Sequence, residues 1–102
     1  DGYKKGAQMT VRVLINYKVP PSRETEVLPI LKELRIRVPQ QPGYISSEYL
    51  KRVDAPHEMV VISTWNSINE WNTWFKSKDR YITQSKLDEI PGVKTEYSIY
   101  GF

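Results

Sequence analysis

Four stretches in which apolar and polar residues alternate, divided by stretches of helical spacing, restrict this 102-residue chain to very few architectures. Residues 9–19, MTVRVLINYKV, put Val11, Val13, Ile15 and Tyr17 on one face of a strand and Arg12, Leu14, Asn16 and Lys18 on the other. Pro20-Pro21 ends this strand, and Ser22 is placed to cap a helix running to about Val38. Leu28, Leu31, Leu34, Arg35 and Val38 recur there at three and four residues, with Val27 and Ile30 beside them, a broad apolar side that packs on a sheet. Pro29 falls inside the pattern and removes one backbone hydrogen bond. After Pro39 and QQPG, alternation returns in residues 43–53, with Tyr44, Ser46, Glu48 and Leu50 set against Ile45, Ser47, Tyr49 and Lys51. Asp54 to His57 then turns the chain into a third strand over residues 58–65. Ser67 and Glu70 have capping-box spacing, and Ile68, Trp71, Trp74 and Phe75 form an amphipathic stripe behind them. A second helical segment covers residues 79–89, carrying Tyr81, Ile82, Ser85 and Leu87; Pro91-Gly92 stops it, and residues 93–102 return as a terminal strand.

The order is β-α-β-β-α-β, the split βαβ arrangement called ferredoxin-like: an α+β fold with an antiparallel sheet and its helices on one face. Residues 1–8 read as a flexible N-terminal arm and residues 9–102 as a single domain. The sheet's other face carries some apolar and aromatic positions, so a second sheet or a ligand suits it better than water does. A chain of this size buries only about 60–65% of its unfolded surface, and a partner subunit would add to that. A sheet-to-sheet homodimer is therefore expected.

Composition removes many chemistries. There is no Cys, hence no disulfide scaffold, Cys-based zinc site or cysteine nucleophile. The nucleotide, zinc-protease and serine-hydrolase motifs are absent, and the lone His57 sits in a turn. No metal site and no bound cofactor are expected. The net charge of +3 is modest and the aromatic RNA-binding signature is missing, so nucleic acid is not an expected partner. Lys4-Lys5 and the run from Lys76 to Arg80 read as solvated surface. Apolar runs fall short of the roughly 20 residues that span a bilayer, and no signal-type h-region lies near Asp1; the expectation is a cytoplasmic protein away from membranes.

What remains is aromatic: Trp 3, Tyr 7 and Phe 2. They supply a core, a dimer face or a pocket wall. Asn16 stands in mid-strand, where an amide without partners costs about 1–3 kcal/mol, so it either ties a neighbouring strand or addresses a ligand. Trp65 serves as a core plug or a pocket wall, and Trp71 and Trp74 pack on the sheet or rim a cleft.

The Pro42-Gly43-Tyr44 start of the second strand, Pro56-His57-Glu58 before the third, and Ser63-x-Trp65-x-Ser67 ahead of the next helix occur in that order. With Asn16 on the first strand, the chain resembles the antibiotic biosynthesis monooxygenase domains over nearly everything from Thr10 to Phe102. The resemblance implies a homodimer of apposed sheets, with a pocket in each protomer between sheet and helices. It implies cofactor-independent oxidation of a phenolic, quinol-type or polyketide-like aromatic by molecular oxygen. Asn16 and Trp65 are then the expected catalytic residues, and Trp71, Tyr81, Gln84, Arg35 and Tyr44 the substrate-binding ones, with Arg35 or Arg80 favouring an anion and Tyr49 as a further hydrogen-bonding group. A haem-degrading branch is similar at Asn16 and Trp65, but its iron-ligating His falls at about Gln84. The alternatives are haem binding without efficient degradation, a small keto or enol isomerase or decarboxylase, and a non-enzymatic ligand-sensing or scaffold dimer.

Overall fold

Eight residues of alternation become β1, Val11–Lys18, which pairs antiparallel along its whole length with β3, Glu58–Trp65, on one side and β4, Lys94–Gly101, on the other. The structure, a computed structural model, describes residues 9–101. The expected arm at residues 1–8, with Lys4-Lys5, and the last position of the terminal strand, Phe102, lie outside the described residues. β2, Tyr44–Lys51, joins the far side of β3, giving the order β2-β3-β1-β4. The four strands and their antiparallel pairing are those expected from the pattern.

Register fixes the two faces. Val13 opposes Ser63 and Ile99, Ile15 opposes Val61 and Tyr97, and Tyr17 opposes Met59 and Thr95, so these side chains share the helix-covered face. In β2 the register shifts between Tyr44 and Ser46, which leaves Tyr44 opposite Trp65 and Ser47 opposite Ser63. Tyr44 thereby joins Ser47 and Tyr49 on the inner face, whereas strict alternation had grouped it with Ser46; the irregularity inverts the parity of one residue. Gly43, at φ +86°, sets the approach to β2. A Cβ there would lie 2.6 Å from Glu70 Cβ, so this turn needs glycine for both its backbone angle and its clearance.

The first helix, α1, spans Glu24–Arg37. Ser22 does not cap it: Pro21–Arg23 form a 3-10 turn, Arg23 N donates to Pro20 O at 2.8 Å, and the N-cap is Arg23 without a side-chain bond. The fixed φ of Pro20 and Pro21 favours that tight lead-in. The second helical region is broken in two. In α2, Ile68–Phe75, the Glu70 amide donates to Ser67 Oγ at 3.3 Å and the Ser67 hydroxyl donates to Glu70 Oε1 at 3.1 Å, completing the expected cap. In α3, Lys78–Asp88, Ser77 Oγ accepts from the Arg80 amide at 3.2 Å. Glu33 of α1 accepts from Thr83 Oγ1 at 3.0 Å and Lys86 Nζ at 3.4 Å of α3, and from Arg37 Nε at 3.2 Å. The Thr83 bond, with Lys86 and Arg37 beside it, holds the Glu33 carboxyl below its ordinary range.

All three helices lie on one face, and the core beneath them is divided. One cluster gathers Val11, Val13, Trp65, Trp71 and Trp74; the other gathers Tyr17, Val19, Val27 and Leu87, and Ile15 and Leu34 touch both. The opposite face of the sheet presents Leu14, Val60, Ile62, Leu50 and Tyr100 among Arg12, Asn16 and Glu96. Among the described residues, no helix is long and apolar enough to cross a membrane.

Candidate active site

The apolar side of α1 is only partly spent on the sheet. Val27 is buried, while Leu28, Leu31, Leu34, Arg35 and Ile36 roof a cavity of about 690 Å³. Ile15, Tyr17, Val61 and Ser63 form its floor, and Trp71 and Trp74 of α2 its inner end. The volume lies in the range that takes a small organic ligand, and the lining is largely apolar with a few polar groups, as such sites require. The expected packing of α1 on the sheet holds for Val27, Ile30, Leu31 and Leu34, which meet the core clusters, whereas Leu28 and Ile36 stay exposed at the cavity.

Arg80 is the principal charge against this space. It is 9% exposed, lines the cavity and donates through Nη1 to Phe75 O at 3.1 Å and through Nη2 to the Tyr97 hydroxyl. Its guanidinium stacks 4.0 Å from the Phe75 ring centroid and 5.2 Å from that of Tyr97. Among the described residues no carboxylate forms an ion pair with it. The reading of Lys76 to Arg80 as solvated surface holds for Lys76, Lys78 and Asp79 and fails at Arg80. The reason is helical phase: Arg80, Thr83, Gln84 and Leu87 follow the i, i+3, i+4, i+7 spacing of one buried stripe.

Two phenols line the cavity with Arg80. Tyr97 opposes Ile15 and Tyr17 opposes Thr95, which makes the two tyrosines diagonal neighbours on adjacent strands. Burial pushes the Tyr97 hydroxyl above its ordinary pKa against the opposing pull of Arg80. Burial raises Tyr17 much further, reinforced by Tyr97 and opposed by Arg80. Both stay protonated at neutral pH and can donate. Gln84, 6% exposed, lines the same cavity; its Nε2 donates to Asp88 Oδ1 and Thr95 Oγ1, each at 3.1 Å. Arg35 borders the mouth, with its guanidinium 4.2 Å from the Tyr49 ring centroid.

The residues singled out in the sequence are distributed as follows. Trp71, Gln84 and Arg35 line the cavity together, with Trp74, Tyr49 and Arg80. Trp65 is fully buried behind it, its Nε1 donating to Ser63 Oγ at 3.1 Å and its ring meeting Tyr44 and Trp71 edge-on at 5.7 and 5.6 Å. Tyr44 supports this cluster and donates to Ser47 Oγ at 2.8 Å. Tyr81 is 68% exposed and borders a smaller cavity of about 280 Å³ on the far side of Arg80, Gln84 and Tyr97. Asn16 is exposed on the opposite face of the sheet, in line with Leu14, so within one protomer it does not meet the others. Sequence reasoning passed over Tyr17 and Tyr97 as ligand groups, although their parity with Val13 and Ile15 places them under the helices.

Residues 10–80 match the sequence profile of the family described as antibiotic biosynthesis monooxygenase. The chain belongs to that family. A curated relative is Protein SchA of Streptomyces halstedii, 28% identical over 69 residues that make up 68% of this chain. The chain spans 18% of the length of SchA. A conserved protein from Methanosarcina mazei Go1 shares the fold with a TM-score of 0.82 at 19% identity, over 92% of this chain and 93% of that one. SnoaB of Streptomyces nogalater, described as a cofactor-independent oxygenase, superposes with a TM-score of 0.74 at 13% identity, over 90% and 91% of the two chains. Haem, implied by one branch of the resemblance, would need an iron ligand among the donors present. An iron ligand at position 84 would be a Gln amide already bound to Asp88 and Thr95, and His57 is half-exposed in the β2–β3 turn beside Glu58. These residues do not fit iron ligation.

Proposed function

We propose that this chain is a cofactor-independent monooxygenase that oxidises a small phenolic, quinol-type or polyketide-like aromatic with molecular oxygen, working as a homodimer. The observation that carries the reading is the buried Arg80 guanidinium, free of any carboxylate partner among the described residues, at the wall of an apolar and aromatic cavity. A buried cation without a counter-ion is costly, and a ligand oxyanion offsets that cost. Ground-state oxygen is a triplet and reacts slowly with closed-shell molecules, whereas an ionised phenol or enol gives up one electron readily. Arg80 favours that ionised form, and Trp71, Trp74 and the α1 leucines hold the ring while excluding water.

The reaction balances with oxygen alone. The ionised substrate passes one electron to oxygen, and substrate radical and superoxide combine through a new C–O bond. The resulting peroxide anion takes up the proton released when the substrate ionised, and the hydroperoxide so formed loses water together with the hydrogen on the same carbon, so one oxygen atom remains as a carbonyl and the other leaves with two substrate hydrogens. We assign the anion-stabilising role to Arg80, with Gln84 and Arg35 as further binding groups, Trp65 and Tyr44 supporting the wall from behind, and Tyr81 at the smaller cavity beyond it. Asn16 lies across the sheet, where a second copy of the chain would meet it.

Oxygen uptake by the purified protein tests the reading, using a panel of quinols and anthrone-like phenols with no flavin, metal or haem added. Uptake that saturates with substrate and falls about 100-fold in Arg80→Met is the expected result, the scale on which loss of one oxyanion-stabilising donor acts. A flat trace across the panel contradicts it.

A further inference from the structure

Tyr17 is 5% exposed and lines the large cavity, yet its hydroxyl has no hydrogen-bond partner among the described residues. That is unusual, because a buried hydroxyl normally finds a partner and is costly when it does not. Its surroundings explain the choice of Tyr over Phe only if something else arrives. The nearby polar groups that act on it are Tyr97, Arg80 and Tyr49, and all three line the same cavity. Tyr97 is engaged by Arg80, and the Tyr49 ring is covered by Arg35. The donor of Tyr17 therefore shares the cavity wall with the cation without bonding to it.

We propose that the Tyr17 hydroxyl is a specificity-determining hydrogen-bond donor for the ligand of this cavity, selecting planar aromatics that carry a keto or ionised phenol oxygen over the corresponding hydrocarbons. This deepens the oxygenase reading and rests on it for the identity of the site. Chemically, the cation end accepts negative charge while Tyr17 requires a lone pair, so a ligand that satisfies both is an oxygenated ring system. A ligand lacking that oxygen leaves the hydroxyl unpaired, and sites built around a buried donor reject such analogues strongly.

The test is anaerobic binding, followed by quenching of tryptophan fluorescence, with 1,8-dihydroxyanthraquinone and anthracene as the matched pair. The wild-type protein is expected to prefer the oxygenated ligand at least tenfold. Tyr17→Phe is expected to weaken that ligand about tenfold, the worth of one hydrogen bond to a charged or strongly polar oxygen, and to leave anthracene unchanged. The Tm of unliganded Tyr17→Phe is expected to equal or exceed that of the wild type, since an unpaired hydroxyl has been removed; a structural tyrosine would show a fall. Equal weakening of both ligands, a lowered Tm with unchanged discrimination, or no binding of either ligand overturns the proposal. If Tyr17→Phe does not fold, the wild-type comparison decides: equal affinity for the two ligands overturns it. No turnover is read, so selective binding without oxygen uptake would remove the oxygenase reading and leave the role of Tyr17 standing.

Discussion

Arg80 shows how one side chain can be held at an interior position by surroundings that only half satisfy it. Its donors reach a backbone carbonyl and a phenol, and two rings pad its faces, but the compensating negative charge is missing among the described residues. The same neighbourhood makes a prediction about pH. Tyr17 and Tyr97 are raised above the ordinary tyrosine pKa of 10.0, chiefly by burial. In alkali the unfolded chain releases these two protons first, so stability is full below about pH 10 and declines above it. Urea titrations between pH 8 and 11 should show this decline, and Tyr17→Phe with Tyr97→Phe should flatten it; a decline of undiminished slope in the double variant would contradict the assignment. The resemblance offered Arg80 or Arg35 as the anion-favouring group, but the burial of Arg80 was not legible in the sequence. Arg80 sits in a run of charges that reads as surface, and its burial follows from the phase of α3, whose inner stripe of Arg80, Thr83, Gln84 and Leu87 is too polar to look like a stripe.

At the level of elements, the strands were legible because period two survives in them, and the cap at Ser67 and the turn at Gly43 because their chemistry is local. The place of Asn16 was legible too: its alternation with Val13, Ile15 and Tyr17 sets it on the outer face, and the paired register keeps it there. The pocket between sheet and helices was implied by the family resemblance, but the residue pattern of α1 does not show its roof. An apolar stripe such as Leu28, Leu31 and Leu34 has the same spacing whether a sheet or an empty volume lies beneath it. The Tyr44–Ser46 irregularity carries no distinctive residue either, so its change of parity appears only in the pairing. Because α1 roofs open space, Leu31→Trp should fill the cavity rather than overpack it. Stability should change by no more than about 1.5 kcal/mol, while binding of a tricyclic phenol is lost. Chemical denaturation and fluorescence quenching check the two halves; retained binding would mean that the ligand sits elsewhere.

On the scale of the whole molecule, the helices cover one face of the sheet, and among the described residues no element packs on the other. The principal axes measure 52 × 32 × 18 Å, and the thin dimension holds one sheet and one helix layer. The proposed homodimer places a second sheet against Leu14, Val60, Ile62 and Leu50. Ile62→Glu puts a carboxylate at the middle of that face and should shift sedimentation from dimer to monomer at micromolar concentration; a wild-type protein that sediments as a monomer would contradict the dimer. The central claim, that the cavity under α1 binds an aromatic as its anion through Arg80, is tested most directly by the colour of a bound phenol. 1,8-Dihydroxyanthraquinone titrated in the presence of saturating protein should ionise at lower pH than in water, and the displacement should vanish in Arg80→Met. An unchanged or raised pKa for the bound dye would contradict the account.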